Sequence, residues 1–337
     1  MSDKSNGIVI SSRVRLARNF AGMRFPARLG DAESAKVLEM TENALKSGGE
    51  KFGTIKIADM TDLQAETLKE LHMISDDLLH GNKNAAVITN RSNDVCIMVN
   101  EEDHLREQCI MKGNRLSQAY SRISAIDDTI ASACDIAYDK RLGYLTACPT
   151  NVGTGLRASA LMFLPGLGMT DSLSKCVSAA ARFDMAVRGE YGEGSRSGGY
   201  LYQISNSKTL GVSEDEIISG VASVVEQIEQ SEVLARKALL ESNEVMLRDG
   251  IMRAYGVLTN AYRLPFDEFE EKYALVKLGV YYGFISCTDT AAFEAMLDKY
   301  RPANMMTQAK KIMNDGERDL YRAANAAAEL KSLTAKV

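Results

Sequence analysis

The sequence predicts an α+β fold, with a mixed strand-and-helix region over residues 1–235 and a smaller all-helical region over 236–337. Two observations carry this expectation. Short β-branched apolar runs alternate with amphipathic stretches through the first two-thirds of the chain. From about Arg236 glycines thin out, and Ala, Leu, Glu, Met and Lys dominate to Val337, a composition suited to helices.

In chain order, Ser11-Ser12-Arg13-Val14-Arg15 sets two arginines at period two, hence on one face of a strand. Residues 31–47 and 59–80 carry helical apolar spacing, and 94–100 (DVCIMVN) reads as a buried strand. Residues 127–137 read as helix and 142–147 as strand, while 200–211 suit a hairpin turning at 206–208. Ser213 and Glu216 form a capping box that opens a long helix with Ile217, Val221, Val224 and Ile228 on one stripe. In the helical region Met305, Met306, Ile312 and Met313 serve either its own core or pairing with a second copy.

Composition narrows the function. Hydrophobic residues make up 45% and charged residues 25% of the chain, as in ordinary globular proteins. A net charge of -5 offers no general attraction to nucleic acid or an anionic membrane, so any anion site must be local. No apolar run approaches the roughly 18 residues of a membrane span, and the start MSDKSNGIVI lacks a secretory apolar core. Six cysteines without a CxxC pair read as reduced thiols of a cytoplasmic protein rather than a disulfide framework.

The arginines stand in unusual contexts. Beside Arg13 and Arg15, Arg106 follows the acidic run 100–104, and Arg157 follows the small-residue loop 151–155. Arg188 opens the stretch RGEYGE. Arginine is permanently charged, and its planar fork matches phosphate oxygens. Five of them could hold a triphosphate and neutralise a phosphoryl group in transfer, or they could be scattered surface ion pairs. No P-loop and no kinase glycine-loop spacing competes. The glycine-rich run 192–199 reads as a loop closing on substrate or as a plain surface turn.

Cys148-Pro149-Thr150-Asn151-Val152-Gly153-Thr154 resembles the signature of the ATP:guanidino phosphotransferases, the family of creatine and arginine kinases. Residues 11–15, 100–106, 157–159 and 188–193 resemble that family's other blocks, in its order. The resemblance implies a core built on a curved antiparallel sheet flanked by helices, with Mg-ATP as donor. It implies that Arg13, Arg15, Arg106, Arg157, Ala158, Ser159, Arg188 and Gly189 cradle the nucleotide. His72 matches a nucleotide-contacting histidine, although a lone histidine on an amphipathic helix also serves structure. Mg²⁺ is expected on ATP phosphates and water, without dedicated protein ligands.

A guanidinium is a poor nucleophile, because its lone pairs are delocalised and it stays protonated at neutral pH. Carboxylates can orient the fork and accept a proton. Glu102 and Glu193 stand in the blocks where the family keeps such carboxylates, with Glu102 as base; by themselves, residues 101–103 read as a solvated acidic turn. Cys148 matches the family's reactive cysteine, and nearby cations favour a thiolate there. The other five thiols read as core fillers.

Core first and helical region second resembles the bacterial protein arginine kinases over essentially the whole chain. Small-guanidine kinases of the family carry an extra helical N-terminal domain, whereas the blocks here begin at Ser11. That arrangement implies an open cleft suited to arginine on a polypeptide. Tyr191 stands where small-substrate enzymes often carry another arginine. Residues 318–323 (RDLYRA) match an R-D-x-x-R-A motif, which implies a phosphoarginine pocket from Arg318, Asp319 and Arg322. Arg318 and Arg322 are four apart and share a helix face; ion pairing of Arg318 with Glu317 is the plainer reading. The expectation is a protein-arginine kinase of bacterial stress response and quality control, acting on proteins with exposed arginines. Implied partners are a zinc-binding activator protein, a heat-shock repressor, a Clp-type unfoldase and a second copy in a homodimer or larger homo-oligomer. A free-arginine kinase and a non-catalytic phosphoarginine-binding adaptor are the alternatives.

Overall fold

The computed structural model describes residues 7–81, 84–170, 172–189 and 198–335. The chain opens with β1 (Val9–Arg18), α1 (Asp31–Lys46) and β2 (Phe52–Lys56), then two short helices, α2 (Asp62–Glu70) and α3 (Asp76–Leu79). β3 (Ala86–Asn90), β4 (Val95–Val99) and β5 (Leu105–Lys112) precede α4 (Leu116–Ala133) and a small ribbon of β6 (Tyr138–Asp139) and β7 (Gly143–Tyr144). After β8 (Leu156–Phe163) come α5 (Pro165–Met169), α6 (Leu173–Ala181), β9 (Met185–Gly189) and β10 (Leu201–Asn206). Eight strands form one antiparallel sheet in the order β2-β3-β4-β5-β1-β8-β10-β9.

The remainder is mainly helical. α7 (Glu214–Asn260) and α8 (Phe266–Tyr281) lead to β11 (Ile285–Cys287), α9 (Thr290–Lys299), α10 (Pro302–Ala309), α11 (Asp315–Glu329) and β12 (Leu333–Ala335). The expectation of an all-helical region needs a small amendment, since β11 and β12 pair into a two-stranded ladder.

The pleat of β1 assigns opposite tasks to the two sheet faces. Val14 and Leu16 join a core with Leu45 of α1, Leu116, Ile123 and Ile130 of α4, and Val221, Val225 and Ile228 of α7. Each such aliphatic side chain contributes roughly 1.5–3 kcal/mol by leaving water. Arg13 and Arg15 project from the other face. β4 is buried at all five positions, because Met73, Ile74 and Leu78 cover Cys96 and Met98 from that second face. That cover stops short of β1, β8 and β10.

Several local expectations hold. α1 and β4 lie where spacing put them. Ser213 and Glu216 cap α7 reciprocally, with Glu216 N–H donating to Ser213 Oγ at 3.2 Å and Ser213 N–H to Glu216 Oε2 at 2.7 Å. Others fail for identifiable reasons. The helix expected over 59–80 breaks at His72, whose φ is 56°, and α3 restarts on the Ser75 cap. The helix expected over 127–137 begins at Leu116 and stops at Ala133, after which Ile136 bridges to Phe20. Only Gly143 and Tyr144 of 142–147 are strand. The hairpin over 200–211 is absent: β10 pairs with β8 and β9, and the Asn206 side chain donates to the carbonyls of Leu156 and Lys208.

α7 changes partners along its length. Asn243 has non-helical angles (φ -163°, ψ 70°), and its Oδ1 accepts from Met246 N–H at 3.2 Å, recapping the helix. Beyond it a second core gathers Leu247, Ile251, Phe269, Tyr273, Phe293, Tyr300 and Leu330. Met305 and Met313 are buried in it and Met306 packs against it, whereas Ile312 is 80% exposed. Among the described residues no helix is long and apolar enough to cross a membrane.

Candidate active site

Antiparallel pairing collects the sequence-predicted arginines into one band on the face opposite the core under α1, α4 and α7. Arg15 lies opposite Arg157 of β8 and Gln108 of β5, and Arg13 lies opposite Ser159. Arg106 stands two residues from Gln108, on the same side of β5. Across β10, Gln203 aligns with Leu161 of β8 and with Arg188 of β9. Hydrogen bonds stitch the band: Arg157 Nη2 donates to Ser205 Oγ at 3.2 Å and Gln203 Nε2 to Ser159 Oγ at 2.9 Å. His72 lines a cleft here with Arg13, Ser159 and Gln203, and its carbonyl accepts from Gln108 Nε2 at 2.7 Å. Ala158 points the other way into the core, and its N–H donates to Asn206 Oδ1. Gly189 ends β9 opposite Tyr202.

The band is electrostatically strained. Burial, then the charges of Arg13, Arg106 and Arg157, push the Arg15 guanidinium well below its usual pKa. Burial followed by Arg188 and Arg106 acts on Arg157 in the same direction. The Nε atoms of both Arg15 and Arg157 are enclosed and reach no acceptor. Buried donors are ordinarily satisfied, so this arrangement is suited to an anion with several oxygens. A bare metal ion would meet only like charge in this donor set; one carried on an anion's oxygens would not.

The acidic turn divides its carboxylates among three tasks. Asn100 (φ 61°) starts the turn, and its side chain donates to the carbonyls of Ser34 and Asn84. Glu101 turns inward, where Oε1 accepts from Arg106 Nη1 and Ser75 Oγ, so it aims Arg106. Asp103 is also buried, and its Oδ1 accepts from Asn19 Nδ2 at 2.6 Å and from Ala147 N–H at 2.7 Å. His104 locks the turn from below: Nδ1 accepts from Phe20 N–H and Nε2 faces the Arg24 carbonyl, which assigns the neutral Nε2–H tautomer. Burial lowers its pKa in keeping with that form.

Glu102 alone of the three stays exposed, with the Cys148 thiol near enough to favour its charged form. Burial and the neighbouring Asp103 raise its pKa, while Cys148 opposes the rise. Cys148 also lies 3.0 Å from Thr150 Oγ1. The structure thus brings Glu102 and Cys148 together at the Arg106 end of the cationic band. Glu193, with the rest of 190–197, lies outside the described residues.

Arg18 shows what an arginine of the same strand does on the opposite face. It is 1% exposed, bonds Asp127 through Nε and Nη2, donates to the Thr154 carbonyl, and stacks 3.6 Å from the Tyr144 ring centroid. It is a structural tie between α4 and the loop before β8.

In α11, Arg318 donates to the Met313 carbonyl and pairs with Asp315, while Glu317 pairs with Lys311. Arg322 is 1% exposed and donates to the carbonyls of Tyr300 and Leu264 and to Asp319. Asp319 Oδ2 also accepts from exposed Arg263 at 2.9 Å. Arg263 and Glu101 were not singled out from the sequence: an isolated arginine in a loop and one of three adjacent carboxylates carry no distinguishing signal.

Comparison with known proteins agrees with this geometry. Residues 34–235 match the ATP:guanido phosphotransferase, C-terminal catalytic domain model, and residues 244–337 match the Protein-arginine kinase McsB C-terminal domain model. A protein-arginine kinase of Caldanaerobacter subterraneus is 38% identical over 96% of this chain and 97% of its own length. One of Geobacillus stearothermophilus is 36% identical over 95% and 89%. Among solved structures, lombricine kinase is similar with a TM-score of 0.59 and 26% identity, over 68% of this chain and 67% of that one. The duplicated taurocyamine kinase of Schistosoma mansoni shares the fold, with a TM-score of 0.63 and 24% identity over 79% of this chain and 38% of that one.

Proposed function

We infer, for a chain that belongs to the ATP:guanido phosphotransferase family, that it transfers the γ-phosphoryl group of ATP to arginine side chains of proteins. The observation that carries this reading is the cationic band with two enclosed, acceptor-less Nε atoms, Arg15 and Arg157, abutting the Glu102–Cys148 pair. The named relatives and the match over 244–337 support protein arginine as the acceptor.

In this reading Arg13, Arg15, Arg106, Arg157 and Arg188 hold the triphosphate, with His72 and Ser159 bordering the nucleotide. Mg²⁺ carried on those phosphates would neutralise part of their charge. Cys148 and Glu102 orient the acceptor guanidinium, with Glu193 as a second carboxylate. A guanidinium nitrogen forms the new P–N bond, the bond from the γ-phosphorus to its bridging oxygen breaks, ADP leaves, and Glu102 takes the proton. The raised pKa of Glu102 supports this role by bringing the carboxylate nearer to neutrality. Arg318, Asp319 and Arg322 are read as a phosphoarginine contact in the domain 236–337. There the ligand's guanidinium would compete with Arg263 for Asp319. A cytoplasmic stress-response role, homodimerisation, and work with a zinc-binding activator, a heat-shock repressor and a Clp-type unfoldase belong to the same reading.

The test is incubation with Mg-ATP and an unfolded arginine-rich protein such as casein, then phosphosite mass spectrometry without acid. Phosphoarginine that disappears in Glu102→Gln supports the reading. Turnover of free arginine alone moves the chain to the small-guanidine kinases, and silence on both leaves a phosphoarginine-binding adaptor.

A further inference from the structure

α2, which leads into His72, is an unusual support for a site residue, because none of its nine residues is buried. Leu68 alone of its apolar side chains leans on the small core beside β3 and β4. What holds it lies in the helical region. Glu70, the last residue of α2, accepts through Oε1 from Ala303 N–H at 2.8 Å and through Oε2 from Asn304 N–H at 2.7 Å. These N–H groups belong to the first turn of α10, where intrahelical acceptors are lacking and the helix dipole favours a carboxylate. One turn earlier, Thr67 Oγ1 meets Thr307 Oγ1 at 2.7 Å.

α10 is a firm anchor. Arg322 Nε grips the Tyr300 carbonyl two residues before α10 starts, at 3.1 Å. The Tyr300 ring meets Phe269 edge-on at 5.4 Å. On the other side of the clamp the chain reverses at His72, two residues after Glu70. The His72 carbonyl is fixed by Gln108, which lies opposite Arg15. His72 itself lines the cleft with Arg13.

We propose that Glu70 is a positioning residue for the nucleotide: by clamping the end of α2 onto α10 it sets where His72 stands over the cationic band, making the helical region part of the nucleotide site. This rests on the reading that the band holds ATP. The carboxylate touches neither substrate nor the reacting atoms; it acts through His72.

The experiment uses the full chain and titrates Mg-ATP and Mg-ADP by calorimetry into wild type, Glu70→Ala, Glu70→Gln and Thr67→Val, with acceptor kinetics on casein alongside. Glu70→Ala is expected to raise nucleotide Kd about tenfold, because two N–H groups lose their charged acceptor. Glu70→Gln keeps one acceptor oxygen and falls between, and Thr67→Val costs about two- to threefold. KM for the protein acceptor stays within twofold, a split that simple loss of stability would not produce. Unchanged nucleotide Kd in Glu70→Ala or, where that variant does not fold, in both Glu70→Gln and Thr67→Val overturns the proposal. Equal loss for nucleotide and acceptor overturns it too. Absence of nucleotide binding by the wild type would instead remove the reading beneath it, and binding without arginine phosphorylation leaves the test of Glu70 intact.

Discussion

Asp103 and Ala147 are joined by a 2.7 Å hydrogen bond from the Ala147 N–H to the Asp103 carboxylate, and this bond puts Cys148 beside Glu102. The same oxygen holds Asn19, so one buried carboxylate fastens β1, the acidic turn and the loop before β8 at a single point. Asp103→Ala should therefore cost roughly 2–3 kcal/mol, the usual penalty for stranding buried donors. It should lower kcat for the protein acceptor at least tenfold through the displaced Cys148, while nucleotide Kd changes less than twofold. Urea unfolding and calorimetric ATP titration measure the two effects, and an equal loss of nucleotide binding would contradict the assignment of Asp103 to the acceptor side.

Glu102 offers a pH signature. Burial and Asp103 raise its pKa, so the base form that accepts a proton is lost at a higher pH than for an ordinary glutamate. Activity should fall as pH drops through that raised value. The acid limb of kcat/KM should vanish in Glu102→Gln, together with roughly two to four orders of magnitude of rate. Initial rates between pH 5 and 9 check this. An unchanged acid limb in the variant would assign the titration elsewhere.

Arg15 is disfavoured by its surroundings in the protein alone. Burial and then three guanidiniums act against its charge, so Arg15→Met should raise the unfolding temperature of the protein alone by a few degrees, roughly what 1 kcal/mol gives in a domain of this size. Nucleotide affinity should fall about 10- to 100-fold. Differential scanning calorimetry with and without ATP distinguishes this from a structural arginine. A lower melting temperature in the absence of nucleotide would mean that Arg15 is satisfied inside the fold.

How far the site could be read from sequence follows from which forces are local. The alternation of Arg13 and Arg15 and the capping box at Ser213 are local patterns, and both survive in the fold. That Arg157 would face Arg15, or Arg188 align with Gln203, depends on strand order; only the family resemblance placed these side chains together. The hairpin expected at 200–211 failed because β10 satisfies its backbone with β8 and β9. A polar run such as Asn206-Ser207-Lys208 looks the same whether it reverses a strand or leaves one. Glu101, Glu102 and Asp103 are equivalent on paper. Their division into clamp, exposed carboxylate and buried anchor is set by the left-handed Asn100 and by partners as distant in sequence as Asn19 and Ala147.

Glu107 lies on the core face of β5, and both of its carboxylate oxygens are enclosed without a hydrogen-bond partner. Burial and then the charge of Asp127 push its pKa well above the ordinary value, and Arg18 only partly opposes them. The native state therefore keeps a proton that the unfolded chain releases above about pH 4.3. Below that pH both states are protonated and Glu107 costs nothing by titration. Above it the native state binds more protons than the unfolded one, so stability falls as pH rises, by about 1.4 kcal/mol per unit, until the raised native value is reached. Glu107→Gln keeps the shape and removes the titration. Urea unfolding at pH 5 and pH 8 should show the variant gaining on wild type by roughly 1–4 kcal/mol between the two, with any fixed cost of the amide cancelling in the difference. A gap between variant and wild type that is the same at both pH values would show that Glu107 is ionised in the native core.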